Sequence, residues 1–196
     1  MDDKNLNQAL IAHFGSHGDM YYKEAQNVYK ELLYLTKNES KGRQENLKTS
    51  LLPFVAVYKV LLSKGMSKEE ALDHMYQTSE IYTRHGMRKT YEKASKLPFF
   101  FWLFRKMFSI GLKGDSWEVE WVSNNSETFE YNIKKCLWHD VCTELGYPEL
   151  CKIFCKNDEI NFTNVSPHLH FYREKTLGNG DDCCDFHFYK HEKKGS

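Results

Sequence analysis

All six cysteines of this chain lie in one segment, between Cys136 and Phe188, together with four of its nine histidines. The preceding two-thirds of the chain contains no cysteine. A deprotonated thiol is a strong nucleophile, and thiols, imidazoles and carboxylates are also the side chains that bind zinc. This distribution predicts that the chemistry takes place in the late segment and that the earlier part serves as its scaffold.

Three residues at helical spacing form the first candidate group. Cys136, His139 and Asp140 lie at positions i, i+3 and i+4, which share one face of a helix. Together they can bind a metal ion, or combine a nucleophile with its base. The spacing is not that of a standard zinc motif, and burial of the cysteine as a small apolar residue is an open alternative.

A second group follows on the next predicted helix. Cys155 lies four residues after Cys151, and Asp158 follows one turn later. Metal binding, nucleophilic catalysis and simple burial are again open for these two cysteines. The group matters because it adds a second carboxylate to the candidate chemistry.

The last candidates belong to a predicted strand in which successive side chains alternate between two faces. Cys184 shares a face with Phe186 and Phe188, and the two aromatic residues indicate the face that meets the core. Asp185 and His187 belong to the other face. We therefore expect the Cys184 thiol to point inward, towards the helices.

The neighbouring strand is predicted from Leu169 to Arg173. Its alternation places Arg173 at the end of an apolar row that also contains Leu169 and Phe171. A guanidinium group there is either a surface group past the edge of the sheet or a clamp for a carboxylate. The sequence leaves both interpretations open.

The elements that position these residues are helical in the first part of the chain. Asp19 is predicted to cap a helix whose apolar residues recur at helical spacing, and residues 37–46 are polar and predicted as a loop. A strongly apolar helix is predicted from Leu51 to Leu62. Ser67 and Glu70 have the spacing of a capping box at the start of a further helix that ends near Gly86.

The second part changes period. Alternating runs at residues 117–122 and 128–133, separated by a polar turn, predict a β-hairpin, and two helices and a second pair of strands follow. This order predicts an α+β fold in which an N-terminal helical half packs on a small antiparallel sheet. We expect a single domain over residues 1–196, with a helical scaffold at 1–112, the sheet and cysteine-bearing helices at 113–190, and a disordered tail at 191–196.

The composition excludes several classes of protein. A chain of 196 residues with 41% hydrophobic residues can bury a sizeable core. Its 27 basic and 27 acidic side chains balance, which argues against a nucleic-acid binder, because such proteins neutralise phosphates. No secretory signal is recognisable, so we expect a cytoplasmic protein with reduced thiols.

The most apolar segment runs from Leu97 to Phe104. Arg105 and Lys106 interrupt it well before the roughly 20 apolar residues that span a bilayer, so we expect no integral membrane segment. Extended to Ile110, the segment forms a helix that is apolar on nearly every face. Such a helix is typical of a core or of the wall of an apolar pocket, and a peripheral membrane anchor is the open alternative.

Several motifs that contain the candidate residues follow one another in order. They are Cys136-x3-Asp140, Glu144-Leu145-Gly146-Tyr147-Pro148-Glu149-Leu150, Phe154-Cys155-x2-Asp158, Arg173-x2-Thr176-Leu177-x-Asn179-Gly180 and Cys184-Asp185-Phe186. This pattern resembles the L-2-amino-thiazoline-4-carboxylic acid hydrolase family over roughly residues 43 to 189. It departs at Asp140, where glutamate is frequent, and at His187, where arginine is more common. The order of elements is also similar to that of vinyl-4-reductase and TRAPP-component domains, which bind small or lipid-like ligands.

The resemblance implies the hydrolytic opening of a thiazoline ring to N-carbamoyl-cysteine, a reaction of cysteine metabolism. It implies that Arg173 binds the substrate carboxylate and that Thr176 and His187 also belong to the substrate site. The catalytic residues that it implies are Cys136, Asp140, Cys155, Asp158, Cys184 and Asp185. Asp140 or Asp158 would be the acid or base, and the cysteines would be a nucleophile or metal ligands.

The remaining expectations concern ligands and alternatives. A small-molecule substrate is the expected partner, and a homodimer is left open. No cofactor is assigned, although three thiolates and a carboxylate could hold zinc. The alternative function is a non-catalytic sensor or carrier that binds a small molecule or lipid in the same pocket.

Overall fold

The computed structural model describes residue 1 and residues 3–191. Its helices are α1 (Lys4–Phe14), α2 (Ser16–Leu35), α3 (Lys41–Asn46), α4 (Leu52–Ser63), α5 (Lys68–His85), α6 (Met87–Ala94), α7 (Phe100–Gly111), α8 (Leu137–Glu144) and α9 (Cys151–Phe162). Its strands are β1 (Trp117–Asn124), β2 (Thr128–Cys136), β3 (His170–Tyr172) and β4 (Cys184–Tyr189). The predicted α+β class with a helical N-terminal half is confirmed. Most of the predicted tail, residues 192–196, lies outside the described residues, and the single-domain assignment stays a prediction.

Helix α4 lies at the centre of the helical half because nearly all of its side chains are apolar. Every residue from Leu52 to Tyr58 is buried, and α2 and α5 pack against the helix. Pro53 occupies the first turn, where its missing N–H removes no intrahelical hydrogen bond. The start of α5 has the predicted capping box, in which Ser67 Oγ accepts a hydrogen bond from the Glu70 N–H and the Glu70 carboxylate accepts one from the Ser67 N–H.

Two predictions about helix starts were wrong. The second helix begins at Ser16, so Asp19 lies in its first turn and forms an ion pair with Lys23 over 2.6 Å instead of capping it. The polar stretch predicted as a loop contains α3, because Ser40 Oγ accepts a hydrogen bond from the Arg43 N–H and caps it. A short π-helical turn then joins α3 to α4.

The four strands form one antiparallel sheet in the order β1-β2-β4-β3. The predicted first hairpin is β1 and β2, and the predicted second pair is β3 and β4. Strand β4 also pairs with β2, which brings Cys184 opposite Ile133 and Phe186 opposite Tyr131. The two predicted pairs therefore form a single surface.

One face of this sheet forms a second core with α7 and α9. Phe188 lies at its centre, with its ring centroid 4.9 Å from that of Phe104 in α7 and 5.1 Å from that of Phe162 in α9. The predicted inward face of β4 is thus the face that meets the helices. Within residues 3–191, no helix has both the length and the hydropathy that crossing a bilayer requires.

Candidate active site

A cavity of about 370 Å³ lies between the inner face of the sheet and helices α7 and α9. Much of its wall is aromatic or aliphatic and includes Phe108, Leu112, Trp117, Trp138, Phe154 and Phe186. Its polar lining includes Asn46, Cys136, Cys151, Cys155, Asp158 and Cys184, and Tyr131 also belongs to the wall. The cavity therefore has an extensive apolar wall and a group of thiols with one carboxylate.

The Cys155 thiol is the centre of this polar group. Hydrogen bonds from the thiols of Cys151 and Cys184 hold the pKa of Cys155 well below its ordinary value, and the positive charge of Arg173 and the Gly178 N–H act in the same direction against the effect of burial. The pKa values of Cys151 and Cys184 are raised, first because each donates to Cys155 and then by burial. The cluster therefore holds one thiolate and two protonated thiols, and all six cysteines of the chain are free.

The loop after β3 packs directly on this cluster. The Leu177 N–H donates a hydrogen bond to Cys184 Sγ over 3.2 Å. At Gly178 a Cβ atom would lie 3.1 Å from Cys155 Sγ and 3.5 Å from Cys151 Sγ, which is tighter than ordinary contact. Only glycine at this position lets the backbone approach the two sulfur atoms without displacing them.

Asp158 and Arg173 form an ion pair beside the thiolate. Arg173 Nη1 donates to Asp158 Oδ2 over 2.9 Å, and Nη2 donates to the carbonyl oxygen of Cys155 over 2.6 Å. Burial raises the pKa of Asp158 to about 7, with a further rise from the Cys155 charge and an opposing effect of Arg173. The carboxyl group can therefore both donate and accept a proton near neutral pH.

Cys136 lines the cavity from another side. It ends β2 and stands at the N-cap of α8. Burial raises its pKa to about 12, although the backbone N–H groups of His139 and Trp138 oppose this rise. The thiol of Cys136 is thus protonated and adds a weak hydrogen-bond donor to the cavity.

The structure brings four of the predicted catalytic residues to the cavity, namely Cys136, Cys155, Asp158 and Cys184. Arg173 is only 2% exposed and lies behind Asp158, so the surface interpretation was wrong. Its guanidinium binds Asp158 and a backbone carbonyl, not the cavity. This position differs from the expected contact with a substrate carboxylate.

Asp140 does not reach the cavity. The expected common face of Cys136, His139 and Asp140 was wrong because Cys136 is a strand residue and α8 starts only at Leu137. The Asp140 side chain is 40% exposed, and one of its oxygens lies 3.5 Å from His139 Nδ1. The two residues form a surface pair.

Asp185 and His187 face away from the cavity, as their alternation in β4 requires. The Asp185 carboxylate accepts hydrogen bonds from the backbone N–H groups of Glu174 and Lys175, the latter over 2.6 Å. His187 lies between the carboxylates of Asp185 and Glu130, at 3.2 and 3.1 Å. Both residues fix the loop and the outer face of the sheet.

Thr176 also shapes this loop instead of lining the cavity. Its Oγ1 accepts a hydrogen bond from the Asn179 N–H over 3.2 Å, and its own N–H donates to Asp181 Oδ2 over 2.7 Å. These bonds hold the short turn that carries Gly178. Thr176 therefore acts on the thiol cluster through the backbone.

Gly178 is a site residue that the sequence did not indicate, and Cys151 was named beside Cys155 but not among the expected catalytic residues. Cys151 stands one helical turn before Cys155 in α9, and this spacing was a signal for a shared face. Gly178 had no such signal, because its role depends on a loop that folds back on α9. Among the residues that the structure describes, no three His, Cys, Asp or Glu side chains are arranged to hold a metal ion.

Comparison with known proteins gives one match. A family model described as L-2-amino-thiazoline-4-carboxylic acid hydrolase matches residues 44–188, a range that contains every polar residue of the cavity lining. No curated protein and no solved structure matches the chain.

Proposed function

The chain belongs to the L-2-amino-thiazoline-4-carboxylic acid hydrolase family, and from this premise we propose that it hydrolyses a small thiazoline or related cyclic amidine. The observation that carries the proposal is the convergence of the Cys155 thiolate, the Cys184 thiol and the Asp158 carboxyl group at one cavity. The opening of such a ring requires a nucleophile, a hydrogen-bond donor that stabilises it as a leaving group, and an acid and base that titrates near neutral pH.

In the first step Cys155 Sγ attacks the ring carbon that lies between nitrogen and sulfur, with the substrate in its amidinium form. The bond from Cys155 to this carbon forms and the bond to the ring sulfur breaks. Protonated Asp158 gives its proton to the departing sulfur. An isothiouronium group then links Cys155 to the opened substrate, which carries a free thiol.

In the second step water attacks the same carbon and Asp158 takes one of its protons. Collapse of the adduct expels the Cys155 thiolate and leaves a urea group, N-carbamoyl-cysteine for the 2-amino-4-carboxylate substrate. The proton that entered with the amidinium leaves from the urea oxygen. Hydrogen bonds from Cys151 and Cys184 stabilise the Cys155 thiolate when it departs.

Arg173 supports this chemistry without facing the cavity. Its charge lowers the pKa of Cys155, and its hydrogen bond fixes the orientation of the Asp158 carboxyl group. We therefore assign Arg173 as a positioning residue in place of a direct ligand for the substrate carboxylate. When Asp158 is protonated, the positive field of Arg173 is no longer balanced by it and favours an anionic substrate.

The test incubates the protein with 2-amino-thiazoline-4-carboxylate and follows N-carbamoyl-cysteine by mass spectrometry. We expect product with the wild type, none above background with Cys155→Ala, and wild-type rates with Cys183→Ala. Cys183 is a suitable control because it is a buried cysteine outside the cavity lining. No product from the wild type, or equal rates in the first two proteins, would remove the proposal.

The apolar wall of the cavity favours a second candidate, a carrier or sensor of a small apolar ligand. Among the described lining residues, only the thiols, Asp158 and the Tyr131 phenol are ionisable, and burial raises the pKa of Tyr131 well above its ordinary value. A carrier would bind a medium-chain fatty acid or alcohol in calorimetry with equal affinity in the wild type and in Cys155→Ala, and would release no ring-opened product. Turnover that depends on Cys155 decides for the hydrolase.

A further inference from the structure

Helix α7 is apolar on two opposite sides. Phe101 and Phe104 on its inner side are buried against the sheet and α9. Its outer side and the residue before it expose four large apolar side chains, which are Phe99, Trp102, Met107 and Ile110. Between 52% and 70% of each of these residues is exposed, and we refer to the four as the α7 stripe.

Most of the α7 stripe lies on one side of the helix, so its exposed side chains are not scattered around the helix. At 100° per residue, Phe99, Trp102 and Ile110 fall within about 80° of one another around the helix, and Lys106 falls between them. A long lysine chain inside such a stripe can lie along the apolar surface and extend its ammonium group beyond it. Exposed apolar patches of this kind mark interaction sites.

The charge around the stripe is strongly one-sided. Residues 84–113 contain eight basic side chains and one acidic side chain, Glu92, although the whole chain is neutral. None of the five lysines among them forms an ion pair with any residue in the described part of the chain; they are Lys89, Lys93, Lys96, Lys106 and Lys113. Helix α6 lies beside α7, since the Tyr91 and Phe104 ring centroids are 6.1 Å apart.

These observations discriminate between partners. A second copy of the chain would bring two basic surfaces together, and a nucleic acid would match the charge but not the apolar side chains. An anionic lipid surface satisfies both, because it accepts Trp and Phe rings at the depth of its headgroups and attracts lysines. We infer that the α7 stripe and its lysines dock the protein on the surface of an anionic membrane, with α7 lying in the plane of the interface.

Docking has a consequence for the cavity. Met107 belongs both to the α7 stripe and to the cavity lining, and Gly111 at the end of the same helix also lines the cavity. The part of the cavity wall that α7 forms would therefore rest against lipid. This inference does not depend on the reaction proposed above.

The experiment measures co-flotation of the full chain with vesicles of phosphatidylcholine alone and of phosphatidylcholine with phosphatidylserine. We expect binding to the second kind only, and we expect high salt to weaken it. Trp102→Gln with Ile110→Gln, and separately Lys106→Glu with Lys113→Glu, should each reduce the bound fraction at limiting lipid by about tenfold.

The matched control is Tyr34→Gln with Leu35→Gln, which removes two equally exposed apolar side chains at the end of α2. It should bind like the wild type. Absence of wild-type binding to phosphatidylserine vesicles, or equal binding by all variants, would overturn the inference. The inference would also fail if the wild type does not bind vesicles but sediments as a dimer, and if Trp102→Gln with Ile110→Gln abolishes that dimer.

Discussion

The buried side chain of Arg173 and the partly exposed side chain of Asp158 form an ion pair in which a single guanidinium nitrogen, Nη1, reaches the carboxylate over 2.9 Å. The other terminal nitrogen, Nη2, is occupied by the Cys155 carbonyl. The pair therefore ties the acid of the site to the helix turn that carries its nucleophile. Each of the two residues has a separate experimental signature.

Arg173→Met is expected to destabilise the protein and to slow the reaction together. Loss of the guanidinium should cost about 1 to 3 kcal/mol, because the partly exposed Asp158 carboxylate and the Cys155 carbonyl lose a charged hydrogen-bond donor. Loss of the positive charge should also raise the pKa of Cys155. Urea unfolding measures the first effect, and Arg173→Lys should recover part of it. An unchanged unfolding midpoint in Arg173→Met would contradict the pairing.

Asp158→Asn should lower kcat by about a hundredfold to ten-thousandfold, the usual contribution of a general acid and base. In the wild type kcat should fall as the pH rises through about 7, because the first step needs the protonated carboxyl group. The variant should lose this limb of the pH profile. Asp140→Asn is the matched control, and a comparable loss there would show that Asp140, the other carboxylate that the sequence offered, takes part in the reaction.

The lowered pKa of Cys155 should make the folded protein more stable as the pH rises. Its pKa in the folded protein is far below the ordinary value of 9, so the unfolded chain binds one proton more between these values and stability rises with pH. Asp158 has a raised pKa, so its contribution to stability falls as the pH rises from about 4 to about 7. In this pH range the contributions of Cys155 and Asp158 offset each other. A net rise is therefore expected from about pH 7 to 8, with a slope of up to about 1.4 kcal/mol per pH unit. Nearer pH 9 the raised pKa values of other buried cysteines, among them Cys136, Cys151 and Cys184, reverse the slope.

Urea titrations at several pH values measure this slope. Cys155→Ala should abolish the rise above pH 7, whereas Cys183→Ala should keep it. If the free energy of unfolding rose equally with pH in both variants, the thiolate would have to form on another cysteine.

Gly178→Ala should damage activity more than stability. The added methyl group would meet Cys155 Sγ at 3.1 Å, so the sulfur or the loop must shift by a few tenths of an ångström. We expect kcat to fall about tenfold with less than about 1 kcal/mol lost in unfolding. Gly114→Ala is the control, because a Cβ atom there has no neighbour within 4 Å. Equal kcat in both variants would exclude the proposed close approach.

Asp185→Ala should reduce stability by about 1 to 3 kcal/mol, since the backbone N–H groups of Glu174 and Lys175 lose their acceptor. Asp185→Asn keeps one acceptor oxygen and should retain much of the stability and activity. If the asparagine variant were inactive while fully stable, Asp185 would have a direct role in the reaction. Thermal unfolding and product formation measured on the same preparations separate these outcomes.

Local patterns in the sequence predicted much of the fold. The capping box at Ser67 depends only on neighbouring residues, and the alternation that turns Cys184 inward depends on the two-residue period of a strand. The prediction for Asp140 failed at a boundary, because β2 passes directly into α8 and the helical spacing does not extend back to Cys136. An error of one residue at this boundary was enough to place Asp140 on a common face with Cys136.

The positions of Arg173 and Gly178 could not be derived in the same way. Arg173 is buried because α9 lies over the end of β3 and because the Phe186 ring, in another strand, is 5.2 Å from its guanidinium carbon. Gly178 contacts sulfur atoms in a helix more than twenty residues earlier in the chain. Such contacts depend on how the elements pack, and no periodicity within one element contains that information.

The position of β4 between β2 and β3 also determines when, during folding, the pKa of Cys155 is lowered. Besides Cys151 in the same helix, the pKa of Cys155 is lowered by Cys184, Arg173 and Gly178, which all follow it in the sequence and reach it only after the sheet has closed. Before the sheet has closed, during synthesis or after thermal opening, Cys155 lacks these later contacts and its thiol is less ionised and less reactive. The fold thus protects the unfinished chain from its own chemistry.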